Sequence, residues 1–185
     1  MSGNSAVRHS SSNTLRAGFA LATVMVALAA VELTPHVQRL FEPINLALAR
    51  ATELALASLD MPVSRSGAVL AHPDGFSYRI TYVCSGVRPA ILIGVALLAV
   101  PASWRARVAG FAAALVVLEA LNLCRLVHLY WTGVANPEAY VFAHRVAWNA
   151  VFVAAVAGLL AIWLVVAARE RRRTSANRPI THVHA

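Results

Sequence analysis

The chain contains no lysine: all sixteen basic residues among its 185 are arginine, set against eight acids for a formal charge of +8. Charge of either sign is scarce, at 13% of residues, while 59% are hydrophobic and the mean hydropathy is +0.64. That balance excludes an ordinary soluble domain. A pI near 11 would suit a nucleic-acid binder. The arginines, however, flank apolar runs instead of lining a polar domain, so the expected partner is a lipid bilayer and not nucleic acid. Only two cysteines are present, Cys84 and Cys124. They are too few for a disulfide framework but enough for one bridge in an oxidising compartment. Internal repeats at a fixed spacing are absent.

What the sequence does have is apolar runs of membrane-spanning length. Four stand out: Leu15–Leu33, Gly86–Trp104 with Pro101 near its end, Val108–Trp131, and Val146–Ala168. The stretch Val37–Leu59 is rich in Leu and Ala yet carries Arg39, Glu42, Asn45, Arg50 and Glu53, which predicts an amphipathic helix lying on the outer surface or packed against the bundle. From Met61 to Val83, "GAVLA" and "FSYRITYV" flank the turn "HPDG", and Phe76, Tyr78, Ile80 and Tyr82 alternate with polar residues, predicting a β-hairpin. The fold class is therefore an all-α integral membrane protein, with about four transmembrane helices, one amphipathic or packed helix and a short extracytoplasmic β-hairpin. Residues 1–13 read as a disordered cytoplasmic start, 14–168 as a single transmembrane domain and 169–185 as a basic cytoplasmic tail. Small residues at Ala27 and Ala29 also admit a cleaved signal peptide, which would leave the other three spans in place.

Arginines close to span ends orient the chain. Arg8 and Arg16, then Arg105 and Arg107, then "RERRR" at 169–173 belong on the cytoplasmic side. The opposite loops also hold arginines, four of them near the stretch "YVCSG", and topology alone does not explain that excess. Cys84 keeps the apolar parity of the strand before it and so points toward the bundle. At about 1.5 Å per residue, Cys84 lies roughly 30 Å above Arg105, Arg125 roughly 26 Å above Val108 and His144 roughly 36 Å above Ala168. With a hydrocarbon core of about 30 Å, a thiol, a guanidinium and an imidazole reach one outer layer.

Those three groups have a joint chemical logic. A thiolate is the nucleophile, and a helix N-terminus or a nearby cation favours its formation. Ser85 and Gly86 read as the start of a helix whose first turn tolerates Pro89. His144 can take the thiol proton and return one to a leaving amine, and Arg125 can hold the thiolate or an oxyanion. Asn122, one turn before Arg125, can orient it or a substrate carbonyl, and Arg88 can meet substrate. Each also has a plainer role: a small buried Cys, a snorkelling Arg, an interfacial His, a packing amide. Glu119 lies inside an apolar run, where a charge is expensive, and is expected to be paired and to face the bundle without a catalytic part.

The motifs "VCSG" opening one span, "NLCR" near the outer end of the next and a His starting the last resemble the exosortase/archaeosortase family of membrane cysteine transpeptidases. The resemblance covers roughly residues 67–168, and its specificity lies in motif order plus topology. Its shortness makes the chain similar to the compact exosortases, such as the type called exosortase H. The family implies a catalytic set of Cys84, Arg125 and His144. Asn122, Arg88 and Ser85 are read from their positions as substrate-binding or supporting residues, and no metal or cofactor is expected. The family also implies cleavage through a Cys thioester, at the extracytoplasmic face of the inner membrane. The implied substrates are secreted proteins whose C-terminal sorting signal comprises a motif, a membrane span and a basic tail.

Three rival readings stand beside it. Cys124 and His128, at i, i+4 on one helix face, have the spacing of metal ligands. Cys84 and Cys124 can form a bridge. A non-enzymatic scaffold or transporter also accommodates four spans and buried charges.

Overall fold

The computed structural model describes Thr23 and residues 39–176. The expected first span apart from Thr23, the signal-peptide alternative, residues 1–13 and the tail beyond Ala176 lie outside the described residues, as does the start of the Val37–Leu59 segment.

The first full helix, α1, runs Glu42–Ser58. Pro43 in its first turn presets the backbone angle where no intrahelical donor is needed. Asn45, Ala49, Thr52 and Leu56 recur at helical spacing and are its buried face. That face rests on the sheet and on the long helix described below, so α1 is packed against the bundle and not afloat on a surface. Glu53 ties it to the sheet, accepting from Arg65 at 2.9 Å and from Arg50 at 2.7 Å. Those two guanidiniums, Arg65 first, hold the Glu53 carboxyl below its ordinary pKa.

The expected hairpin is a three-stranded antiparallel sheet. Strands β1 (Ser64–Ser66), β2 (Val69–Ala71) and β3 (Ser77–Arg79) pair in sequence order. "HPDG" makes the β2–β3 turn as its chemistry predicts, with the His72 amide donating to the Phe76 carbonyl at 2.7 Å. β1 was not expected, because three polar residues carry no alternation signal. β3 also stops sooner than "FSYRITYV" suggests. After Arg79 the chain folds into a 3-10 turn, Tyr82–Cys84, although the inward positions Tyr78, Ile80, Tyr82 and Cys84 all remain buried. Cys84 thus faces inward from a turn and not from the strand.

Helix α2 (Val87–Ala99) is thirteen residues long, which corrects the span expected over Gly86–Trp104. Pro101 forces the residue before it out of helical geometry, and Val100 is accordingly extended. Ser103 then caps α3 (Trp104–Ala135), its hydroxyl accepting from the Ala106 amide at 3.3 Å. Arg105 and Arg107 are therefore in the first turn of α3 and not in a connecting loop. Asn136 caps the next helix by accepting from the Glu138 and Ala139 amides, both at 3.1 Å. From there a continuous helical run comprises α4 (Pro137–Phe142), a π-helical segment at Ala143–Ala147 and α5 (Trp148–Ala176).

Two of these stretches, Trp104–Ala135 and Pro137–Glu170, are long and apolar enough to cross a membrane, whereas Val87–Ala99 is shorter. Their outer faces expose Val116, Val153, Ile162 and Leu164, as lipid contact requires. Two cores divide the described fold. One, beneath the sheet and α1, gathers Leu56, Leu70, Tyr78, Ile80, Cys84, Leu126 and Tyr130. The other, within the helices, gathers Ile93, Leu97, Ala114, Leu118, Trp163 and Ala167.

Candidate active site

Cys84 belongs to the core beneath the sheet, at the end of the 3-10 turn and three residues before the first residue of α2. Its residue is only 6% exposed. Two hydrogen bonds shape the corner. Ser85 donates its hydroxyl to the Tyr82 carbonyl at 2.7 Å, closing the turn, and Asn122 of α3 donates its amide to the Cys84 carbonyl at 2.9 Å. Gly86 then turns the chain into α2 at φ +71°, a conformation that favours glycine. A Cβ on Gly86 would also lie 2.5 Å from Glu119 Oε1, the end of a side chain that would have to shift. Glu119 faces the bundle, against this turn.

Arg125 comes from α3, one turn beyond Asn122. It is 6% exposed, its guanidinium lies 5.6 Å from the centre of the Phe152 ring, and its Nε has no hydrogen-bond partner among the described residues. It lines a cavity of about 550 Å³ between α2, α3 and α5. Val83, Gly86, Arg88, Leu92 and Phe152 share that lining. Its walls are apolar apart from the two arginines and Asn149. Arg88 also passes 5.8 Å from the centre of the Tyr82 ring.

His144 lies in the π-helical segment, well inside the last helical run and not at its start. Such one-turn π insertions are frequent at functional sites. Its ring stacks on Tyr140, with centroids 5.7 Å apart and planes 17° from parallel. Arg125 lies within electrostatic range of His144, and both Cys84 and Arg125 lie within range of Tyr140. No hydrogen bond or ion pair joins any two of Cys84, Arg125 and His144 among the described residues.

Two tyrosines and one phenylalanine that sequence reasoning did not assign to the site complete it. Tyr78 donates its hydroxyl to the Leu126 carbonyl at 3.0 Å, next to Arg125 in α3. Burial first, and then the nearby Cys84, hold that hydroxyl far above its ordinary pKa, with Arg125 acting in the opposite direction. Phe76 meets Tyr140 edge-on at 5.5 Å. The strand alternation pointed Tyr78 inward, and the i, i+4 spacing of Tyr140 and His144 was readable once that stretch was known to be helical.

The rival pairings fare differently. Both cysteines are free, Cys84 buried and Cys124 exposed, so no bridge joins them. Among the described residues no group of three His, Cys, Asp or Glu side chains could hold a metal ion. His128 instead accepts a hydrogen bond from the Trp148 indole at 3.1 Å.

A mostly helical chain with two helices long and apolar enough to cross a membrane, a buried thiol just before α2 and a buried arginine on α3, fits a class of membrane protein. The model of the family described as transmembrane exosortase (Exosortase_EpsH) matches residues 10–172. The chain belongs to the exosortase family. Neither a curated protein nor a solved structure matches it.

Proposed function

We propose that this exosortase is a membrane-embedded cysteine peptidase or transpeptidase that cleaves the C-terminal sorting signals of secreted proteins. The Cys84 thiol gives its proton to His144, and the sulfur attacks the scissile carbonyl carbon. The carbon–nitrogen bond breaks, the amine departs with the proton held by His144, and a thioester remains on Cys84. An acceptor amine or water then attacks the thioester, losing its proton to His144 and releasing the sulfur. Arg125 stabilises the negative charge that collects on sulfur and on the tetrahedral oxygen. Asn122 and Ser85 hold the corner that carries the thiol, and Arg88 and the apolar cavity receive the substrate. The protein crosses the inner membrane several times and works at its extracytoplasmic face.

The observation that carries this reading is Tyr140. Its ring stacks on His144, and its hydroxyl feels both Cys84 and Arg125 electrostatically, which supports grouping the three residues in one site. The Arg125 Nε, buried and without a partner among the described residues, supports an anionic guest beside that side chain. The test is co-expression with a secreted substrate bearing its sorting signal, followed by mass spectrometry of the intact protein. A thioester adduct on Cys84, lost together with processing in Cys84→Ala, is expected. Undiminished processing by Cys84→Ala would refute the reading.

A further inference from the structure

A base that takes a thiol proton must be held in one orientation, and the usual device is a carboxylate or carbonyl bonded to the second ring nitrogen. His144 has no such partner: among the described residues neither of its ring nitrogens makes a hydrogen bond. The backbone that carries it, Ala143–Ala147, is π-helical. What meets the imidazole is the face of Tyr140. The Tyr140 ring is itself fixed from the sheet side by the edge of Phe76. Phe76 is seated in turn in a notch on α3, where a Cβ at Gly133 would overlap its ring. A row of contacts therefore leads from Gly133 through Phe76 and Tyr140 to His144. The charged groups that act on the imidazole are Arg125, from α3, and Arg145, its own neighbour.

We propose that Tyr140 is a positioning residue for His144, its ring acting as the orienting group that a carboxylate supplies elsewhere. The inference rests on the assignment of His144 as the base. The ring and not the hydroxyl carries the role, since the stacking geometry involves the ring face.

The experiment uses the full-length protein in detergent with Cys124→Ala, so that Cys84 is the one thiol, and measures the rate of its alkylation by iodoacetamide across pH. Tyr140→Leu is expected to slow alkylation roughly tenfold near neutral pH and to move the pH profile toward that of His144→Gln, as loss of alignment would. Tyr140→Phe is expected to keep both the rate and the profile. If His144→Gln slows the reaction while Tyr140→Leu leaves it unchanged, the positioning role is refuted and the base assignment stands. If His144→Gln itself has no effect, the base assignment fails and the Tyr140 role falls with it. Should Tyr140→Leu not fold, Tyr140→Phe still decides, because a loss in that variant would assign the effect to the hydroxyl and overturn the proposal.

Discussion

Asn122 offers the sharpest test of how the candidate site is held. Its residue is fully buried, and its amide is the one side-chain donor to the Cys84 carbonyl among the described residues. Replacing it by Ala removes the donor and strands a buried carbonyl beside the thiol. A buried acceptor left without its partner costs about 1–3 kcal/mol. For a chain of this size each kcal/mol moves the melting temperature by about 2–4 °C, so Asn122→Ala should melt roughly 2–12 °C below the parent. Asn122→Asp should do worse, since an ionised carboxylate would present oxygen to the carbonyl oxygen and lie one turn from Glu119. Thermal unfolding in detergent, followed by circular dichroism, measures both. Iodoacetamide labelling of Cys84 in the same samples shows whether the corner has opened, and both variants should label faster than the parent once the turn is released. An Asn122→Ala protein with parental melting and parental labelling would refute the claim that this bond fixes the nucleophile to α3.

Gly86→Ala should lose about 1–2 kcal/mol of stability from the left-handed backbone alone, and more from the approach to Glu119. Adding Glu119→Ala should restore only the second part, and full restoration by the double variant in a thermal melt would show that backbone conformation is not at issue. Arg125→Lys should reduce substrate processing by about 10²–10³-fold, because an ammonium supplies neither the planar fork nor the stacking surface that meets Phe152; near-parental rates would refute an electrostatic role. The Glu53 carboxyl titrates below its unfolded value, so its link to Arg65 and Arg50 contributes stability above the unfolded pKa and loses it as pH falls through the folded one. The melting difference between the parent and Glu53→Gln should therefore be present at neutral pH and shrink toward zero in acid, and a difference independent of pH would contradict the sign.

Much of the fold was legible because single residues act locally. "HPDG" names its turn, and the alternation through Tyr78, Ile80 and Tyr82 finds the buried side of β3. The errors share one cause, which is that tertiary contacts or backbone geometry decided where pattern alone was ambiguous. Apolar composition runs straight through Pro101, but that proline's demand on Val100 ends α2 at Ala99 and shortens the expected span. Nothing in "AHRVA" marks a π-helical segment, so His144 was assigned to the start of a helix that in fact began at Pro137. Cys84, Asn122 and Arg125 were visible as residue types at suggestive places. The Tyr140 ring that meets His144 was not, because a stack between neighbouring turns becomes apparent only once the helix and the Phe76 edge are both known.

The short α2 bears directly on where the thiol lies in the bilayer. The Cys84 carbonyl is bonded to Asn122, eighteen residues along α3 from Trp104, or about 27 Å. At the other end the Val100 carbonyl accepts from the Arg107 side chain at 3.3 Å, about 5 Å along from the same start. The difference, about 22 Å, agrees with the roughly 20 Å that the thirteen residues of α2 rise, so the two helices run side by side with little displacement. Cys84 is therefore nearly one hydrocarbon thickness from the Trp104 end even though its own helix is too short to span that layer. Arg125, about 32 Å from the same end, lies slightly beyond it. Were the hydrocarbon layer to begin at Trp104, the sulfur of the proposed nucleophile would lie just inside its far boundary and the guanidinium just outside, which suits the proposed attack on a peptide bond between a soluble protein and its membrane segment.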